Sequence, residues 1–158
     1  MIRTGLGYDC HRFASGRPLV LGGVELDFEL GLDGHSDADV LTHAIIDALL
    51  GAAALGDIGE HFPDTDERYR GASSIELLRV VQRLLGERGY AIVNIDATVM
   101  IEQPHLAPAK DRIRAALADA IGLPAESVSV KATRGEGMGF VGRQEGAAAL
   151  AIATVSHA

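Results

Sequence analysis

The sequence predicts an α+β fold, a mixed β-sheet with helices packed on one face and the other face left for self-association. Three observations carry that prediction. Val93, Ile95, Ala97, Val99 and Ile101 alternate with polar Asn94, Asp96 and Thr98, the period of a half-buried strand. The stretches from Ser36 and from Ser73 each open with a serine followed three residues later by a carboxylate, then continue with apolar residues at helical spacing. Residues 146–155 are almost wholly small and apolar, as in a strand covered on both sides.

In chain order, residues 2–9 read as a strand in which Gly5 and Gly7 allow close backbone approach. Leu19-Val20-Leu21, Gly22-Gly23 and Val24-Glu25-Leu26 read as a hairpin, because a Gly-Gly pair suits the primed two-residue turns. The helix opened by Ser36 and Asp39 should run to about Leu55, where Gly56-Asp57-Ile58-Gly59 ends it. Phe62-Pro63-Asp64-Thr65-Asp66 is a polar loop. Ser73 and Glu76 make the better capping box, for a helix to about Arg88 with Ile75, Leu78, Val81 and Leu85 toward a core. Strand 93–101 is ended by Pro104, and Pro108 starts a helix over 109–121. Ser127 to Thr133 is a further strand, followed by the glycine-rich loop Arg134-Gly135-Glu136-Gly137-Met138-Gly139 and the last strand. Without repeats, low-complexity segments or linkers, 1–158 reads as one domain.

Composition narrows the function. A net charge of −8 lacks the basic face that a nucleic-acid partner needs. It leaves room for a phosphorylated small molecule, provided a few placed arginines or metal ions neutralise the phosphates. No apolar run reaches the roughly 18 residues of a membrane span, so no membrane partner is expected. The start, Met1-Ile2-Arg3-Thr4, shows no basic region leading into an apolar run, and reads as no secretory signal. One cysteine excludes an internal disulfide and fits a reducing cytoplasm.

The chemistry-bearing residues gather around His35-Ser36-Asp37-Ala38-Asp39-Val40-Leu41-Thr42-His43. Asp9 and His11 are two apart on a strand and share a face, while Cys10 between them points away and reads as a small buried hydrophobe. Asp39, His43 and Asp47 share a helix face. A lone histidine beside Ala44 and Ile45 is commonly a core residue, but His43 has a carboxylate one turn to either side to orient its ring. Asp9, His11 and His43 would give a metal two nitrogens and one oxygen with a position left open, the pattern of a catalytic zinc. His35 is either a solvated loop histidine or a donor to a phosphate at the helix start. Asp57, Asp64 and Asp66 sit in loops where aspartate commonly serves turn chemistry. Thr133, Arg134, Gly135 and Glu136, with Phe140 and Arg143, offer freed backbone N–H groups, two cations for phosphate and a carboxylate for a second metal.

Taken together these motifs resemble the 2-C-methyl-D-erythritol 2,4-cyclodiphosphate synthase family of the non-mevalonate isoprenoid pathway. The resemblance covers nearly the whole chain. It rests on Gly7-Tyr8-Asp9-Cys10-His11, Gly34-His35-Ser36-Asp37-Ala38-Asp39-Val40, His43-Ala44, Asp47-Ala48-Leu49-Leu50-Gly51, Gly56-Asp57-Ile58-Gly59, Phe62-Pro63-Asp64-Thr65-Asp66, Lys131-Ala132-Thr133 and Gly142-Arg143-Gln144-Glu145-Gly146. It implies a lyase in which the 2-phosphate of 4-diphosphocytidyl-2-C-methyl-D-erythritol 2-phosphate attacks the β-phosphorus. CMP leaves and an eight-membered cyclic diphosphate forms. It also implies a homotrimer with active sites between subunits and an isoprenoid diphosphate at the trimer axis.

By motif, Asp9, His11 and His43 resemble the zinc ligands; from their spacing, Asp39 and Asp47 are expected to support the His43 ring. His35 and Ser36 resemble the erythritol-phosphate contacts, His35 with a catalytic share. Asp57, Ile58 and Gly59, with Phe62, Pro63, Asp64, Thr65 and Asp66, resemble further substrate contacts, and Pro104 marks the cytidine pocket. Glu136 resembles the ligand of a bridging Mg2+ or Mn2+, and Phe140 and Arg143 a phosphate-contacting pair near the axis. Two departures stand out. The family usually carries Thr-Thr-x-Glu where this chain has Thr133-Arg134-Gly135-Glu136, and its second threonine is credited with stabilising the transition state. Arg134 cannot repeat a hydroxyl contact, but its fork could oppose the developing charge. His105 replaces the lysine common after the proline.

Two other functions fit the same residues. One is a zinc-dependent phosphate-ester hydrolase with water in the open position and Asp39 or His35 as base. The other is a non-catalytic oligomeric module that binds a nucleotide or isoprenoid diphosphate.

Overall fold

The computed structural model describes residues 1–157. Five strands form one mixed sheet in the order β4 (Gly31–Leu32), β1 (Ile2–Ala14), β7 (Gly146–His157), β5 (Tyr90–Met100) and β6 (Val128–Thr133). Neighbours are antiparallel except β5 and β6, which run parallel. A separate hairpin pairs β2 (Leu19–Leu21) with β3 (Val24–Leu26), and both turn glycines take positive φ, 59° at Gly22 and 74° at Gly23. Helices α1 (Val40–Ala52), α3 (Ser74–Glu87) and α4 (Lys110–Ile121) lie over one face, with short helical turns α2 (Ile58–His61) and α5 (Gly139–Gly142) between elements. Among the described residues no helix is long and apolar enough to cross a membrane.

Strict alternation on β1 does the sorting. Gly5, Gly7, Asp9 and His11 turn toward the helices, and Thr4, Leu6, Tyr8 and Cys10 turn outward and are exposed. The two glycines explain how closely α1 lies. A Cβ on Gly5 would stand 2.0 Å from the Ala48 carbonyl oxygen, and one on Gly7 would stand 1.9 Å from that of Ala44. Alanines on the helix and glycines on the strand therefore bring backbone against backbone. Along α1 only Asp47 and Gly51 escape full burial, because the sheet lies beneath and other helices lie alongside. Amphipathic α3 buries Leu77, Leu78, Val81 and Leu85, and α4 buries Ile113, Leu117 and Ile121 before Gly122 closes it in the left-handed conformation.

Several local expectations change. β1 continues past residue 9 to Ala14, because its pairing with β7 and then β4 extends that far. The first helix ends at Ala52 rather than near Leu55, as Ala54 turns to φ 58°. Its cap is Asp39, which accepts from the Thr42 N–H, and Ser36 Oγ serves the Ala38 N–H instead. The Ser73–Glu76 box does not form. Ser73 makes no side-chain cap, and the Ser74 N–H is taken at 2.9 Å by Asp37, remote in sequence. Cys10 is exposed rather than buried.

The last strand is covered on one side only. Ala147, Ala149, Ala151, Ala153 and Val155 are buried under helices, but Leu150 and Ile152 are 39% and 49% exposed. They pair in register with outward-facing Tyr8 and Leu6, forming an apolar stripe across the sheet.

The close approach predicts that Gly7→Val is among the most damaging single changes in the chain. Overpacking of this kind costs about 1–3 kcal/mol or more. Thermal melting should show a drop of several degrees or no folded protein. An unchanged melting temperature would show that α1 can lift off the strand without penalty.

Candidate active site

Two elements held in backbone contact carry the central residues. β1 presents Asp9 and His11, and α1 presents His43 one residue before its contact at Ala44. Asp9 Oδ2 lies 2.9 Å from His11 Nε2 and 3.0 Å from His43 Nδ1, and the two ring nitrogens are 3.2 Å apart. His11 Nδ1 is 2.7 Å from the Asp33 carbonyl, which can only accept, so that nitrogen carries the proton and the Nε2 lone pair faces inward. A carboxylate and an imidazole lone pair thus converge on one point beside His43 Nδ1.

Such a donor set repels itself unless a cation sits within it. Burial alone would raise the Asp9 carboxyl, but hydrogen bonds and charge from His11 and His43 outweigh it and hold it at about 2. Burial likewise pushes His11 down, and Asp9 more than offsets it, so the imidazole ends above its ordinary value. Three ligand atoms from Asp9, His11 and His43 lie within 4.8 Å of one another, the one such cluster among the described residues. Two imidazoles and a carboxylate fit a divalent ion.

The neighbouring aspartates divide the work differently from the sequence expectation. Asp39 does not support His43. It is fully buried, and its carboxylate accepts from the Gly22 and Gly23 N–H groups and from both the N–H and hydroxyl of Thr42. Burial pushes its carboxyl up, with the Thr42 and Gly23 bonds pulling the other way. Asp47 lines the cleft and accepts from the Ile58 N–H at 2.7 Å, so it positions α2. The groups that do meet the outer nitrogen of His43 are Ser74 Oγ at 2.7 Å and Ser36 Oγ at 3.2 Å. The sequence reading missed Ser74, and its only signal was a second serine beside the expected cap.

The candidate metal-binding cluster opens into a cleft of about 430 Å³. His35 and Ser36 line one side, and Asp47, Ile58, Gly59, Phe62, Pro63 and Asp64 line another. The loop bearing His35 and Ser36 is strapped from behind. Arg17 donates to the Gly34 and Ser36 carbonyls at 2.6 Å each, and Gly71 N–H donates to the His35 carbonyl at 2.8 Å. Arg17 was not singled out from the sequence, since an arginine bonded to carbonyls leaves no motif. Asp57 caps α2 through the Glu60 N–H, Asp66 is paired with Arg68, and Thr65 is exposed; none of the three lines the cleft.

A second cleft, of about 270 Å³, is lined by Pro104, His105, Lys110, Thr133 and Arg134 among others, and shares no residue with the first. Beyond it Glu136, Phe140 and Arg143 are exposed, Arg143 paired with Glu145 at 2.8 Å and Arg134 lying 3.8 Å from Glu136. The Gly135 N–H is held by Glu102 at 2.7 Å. One chain therefore gathers the Asp9–His11–His43 donors and the His35 loop into one cleft, and the Pro104–Arg134 cleft shares none of that lining.

Comparison with known proteins bears on this arrangement. The sequence matches the YgbB family over residues 2–156. The 2-C-methyl-D-erythritol 2,4-cyclodiphosphate synthase of Alkaliphilus metalliredigens is 56% identical over 99% of this chain and 98% of its own length. The bifunctional IspDF of Campylobacter jejuni superposes with a TM-score of 0.96 at 43% identity; this chain is wholly covered and spans 43% of that longer one. A 2C-methyl-D-erythritol-2,4-cyclodiphosphate synthase solved in a CDP-bound form is 35% identical, with a TM-score of 0.90 over 98% of this chain and all of that one. The chain belongs to the YgbB family, that of the 2-C-methyl-D-erythritol 2,4-cyclodiphosphate synthases.

Proposed function

We propose that the chain, acting as one catalytic domain, converts 4-diphosphocytidyl-2-C-methyl-D-erythritol 2-phosphate into 2-C-methyl-D-erythritol 2,4-cyclodiphosphate and CMP, in the non-mevalonate isoprenoid pathway. The observation that carries this reading is the Asp9–His11–His43 donor set at the head of a cleft rimmed by His35 and Ser36. An oxygen of the substrate's 2-phosphate forms a bond to the β-phosphorus, and the bond from that phosphorus to the CMP oxygen breaks. The nucleophile is already ionised near neutral pH, so the protein's task is to position it and neutralise charge.

Asp9, His11 and His43 would hold Zn2+, and Glu136, exposed on its turn, would join a Mg2+ or Mn2+ carried on the substrate diphosphate. Bound divalent ions supply Lewis-acid neutralisation of the phosphate oxygens. His35 and Ser36 grip the erythritol phosphate from a loop that Arg17 holds fixed. Ile58, Gly59, Phe62, Pro63 and Asp64 shape the wall facing them, Asp57 and Asp66 hold its turns, and Thr65 is exposed beside them. Thr133, Gly135 and Arg134 face the diphosphate, and the Arg134 fork takes the place of the family's second threonine.

The Pro104 cleft takes the cytidine. Because the two clefts are separate in one chain, the complete site needs a second copy, with the outward apolar stripe of Leu6, Tyr8, Leu150 and Ile152 buried between copies of a homotrimer. Phe140 and Arg143 then face the axis, where an isoprenoid diphosphate would bind. A hydrolytic reading loses support, because Asp39, one of its two candidate bases, is fully buried and engaged.

Phosphorus NMR of an incubation with the cytidyl diphosphate substrate tests the reaction. CMP with a cyclic diphosphate is expected, and CMP with an open-chain phosphate would identify a hydrolase. In the same assay His43→Ala should lose bound zinc and nearly all turnover. Arg134→Ala should lose about 10- to 100-fold, the worth of a charge-assisted contact. Faster turnover in Arg134→Ala would make the arginine a handicap. Light scattering should return three times the 16.6 kDa chain mass, and a monomer that turns over substrate would refute the shared site.

A further inference from the structure

Among the described residues His43 is one of four buried polar residues, with Ser74, Asp39 and Thr42, and Ser74 is completely buried beneath it. The contacts of Ser74 fix the direction of every proton around it. The Ser74 N–H donates to Asp37 Oδ2 at 2.9 Å, and the Ser74 hydroxyl makes a very short bond to Asp37 Oδ1. An ionised carboxylate only accepts, so the single hydroxyl proton of Ser74 is spent on Asp37. The 2.7 Å contact between Ser74 Oγ and His43 Nε2 must then run the other way, with the ring nitrogen donating. Ser36 Oγ, at 3.2 Å and already accepting from the Ala38 N–H, is a second acceptor on the same side. With its proton on Nε2, His43 turns the Nδ1 lone pair toward Asp9 Oδ2 and His11 Nε2.

We propose that Asp37 and Ser74 are positioning residues which lock His43 in the Nε2–H tautomer and so present Nδ1 to the metal. The inference rests on the metal reading of Asp9, His11 and His43. It also gives Asp37 a double part. Asp37 directly follows Ser36, and its own N–H donates to the Ala72 carbonyl at 3.1 Å, so one residue ties the phosphate-gripping loop to the start of α3 and to the metal ligand. Ring orientation and loop position are therefore set together.

The test uses the full chain and zinc competition against a chromophoric chelator. Loss of such an outer hydrogen-bond partner typically costs about 10- to 100-fold in metal affinity, and that weakening is expected for Ser74→Ala and, through the loosened hydroxyl, for Asp37→Asn. Ser74→Thr, which keeps a hydroxyl, should recover most of the affinity. A purely structural role would lower the melting temperature while leaving the folded fraction's zinc affinity intact. Nitrogen-15 histidine NMR of the zinc-loaded wild type decides the matter even if a variant fails to fold. Nε2–H with Nδ1 on the metal is expected, and a proton on Nδ1 overturns the proposal. Wild type that binds zinc alongside Ser74→Ala of equal affinity overturns the proposal alone. Wild type that binds no zinc overturns the metal reading with it.

Discussion

Backbone contact between β1 and α1, made possible by Gly5 and Gly7 facing Ala48 and Ala44, governs most of what this molecule can do. Asp9 and His11 have short side chains on a strand, and His43 projects from a helix above them. Their ligand atoms meet only if strand and helix lie closer than ordinary side chains allow. Removing both Cβ atoms from the strand brings the carbonyls of α1 onto it, and the three donors then fall within hydrogen-bond distance. The Asp9–His11–His43 donor cluster is thus a consequence of how one helix packs, and the same packing buries α1 on nearly all sides.

Once α1 is set, aspartates attach the surrounding pieces to it. Asp39 draws the β2–β3 turn onto the helix start through the Gly22 and Gly23 N–H groups, and a buried carboxylate is tolerated there because four donors satisfy it. Asp47 holds the first residue of α2, and Asp37 holds the first residue of α3. Each accepts from a backbone N–H freed at a turn or a helix start, where negative charge is favoured. A strongly acidic protein therefore spends several of its carboxylates on scaffolding.

Much of this was legible in the sequence, and the limits have physical causes. Period-2 alternation placed β5, and it put Asp9 and His11 on one face with Cys10 on the other. The Gly22-Gly23 turn and the helix over 109–121 were equally plain, since local rules decide them. Misassignments fell where distant contacts win. Asp39 and His43 are a turn apart on one helix, yet Asp39 turns to the Gly22-Gly23 turn, which spacing on a helix cannot reveal. Ser73 has the pattern of a cap, but Asp37 reaches the neighbouring Ser74 from another loop. The last strand reads as buried on both sides because its residues are apolar, and in the single chain Leu150 and Ile152 stand exposed. Sequence registers the apolar surface without saying which side of the sheet the helices cover. The separation of the two clefts is invisible for the same reason, since motif order carries no distance.

X-ray absorption at the zinc edge, on protein loaded with one equivalent of the metal, tests the central claim most directly. Asp9, His11 and His43 as ligands require a first shell of nitrogen and oxygen only, at about 2.0–2.1 Å, with the outer scattering of imidazole rings. A sulfur contribution near 2.3 Å would place Cys10 on the metal and contradict the alternation of β1. A shell of water oxygens without imidazole would dissolve the site altogether.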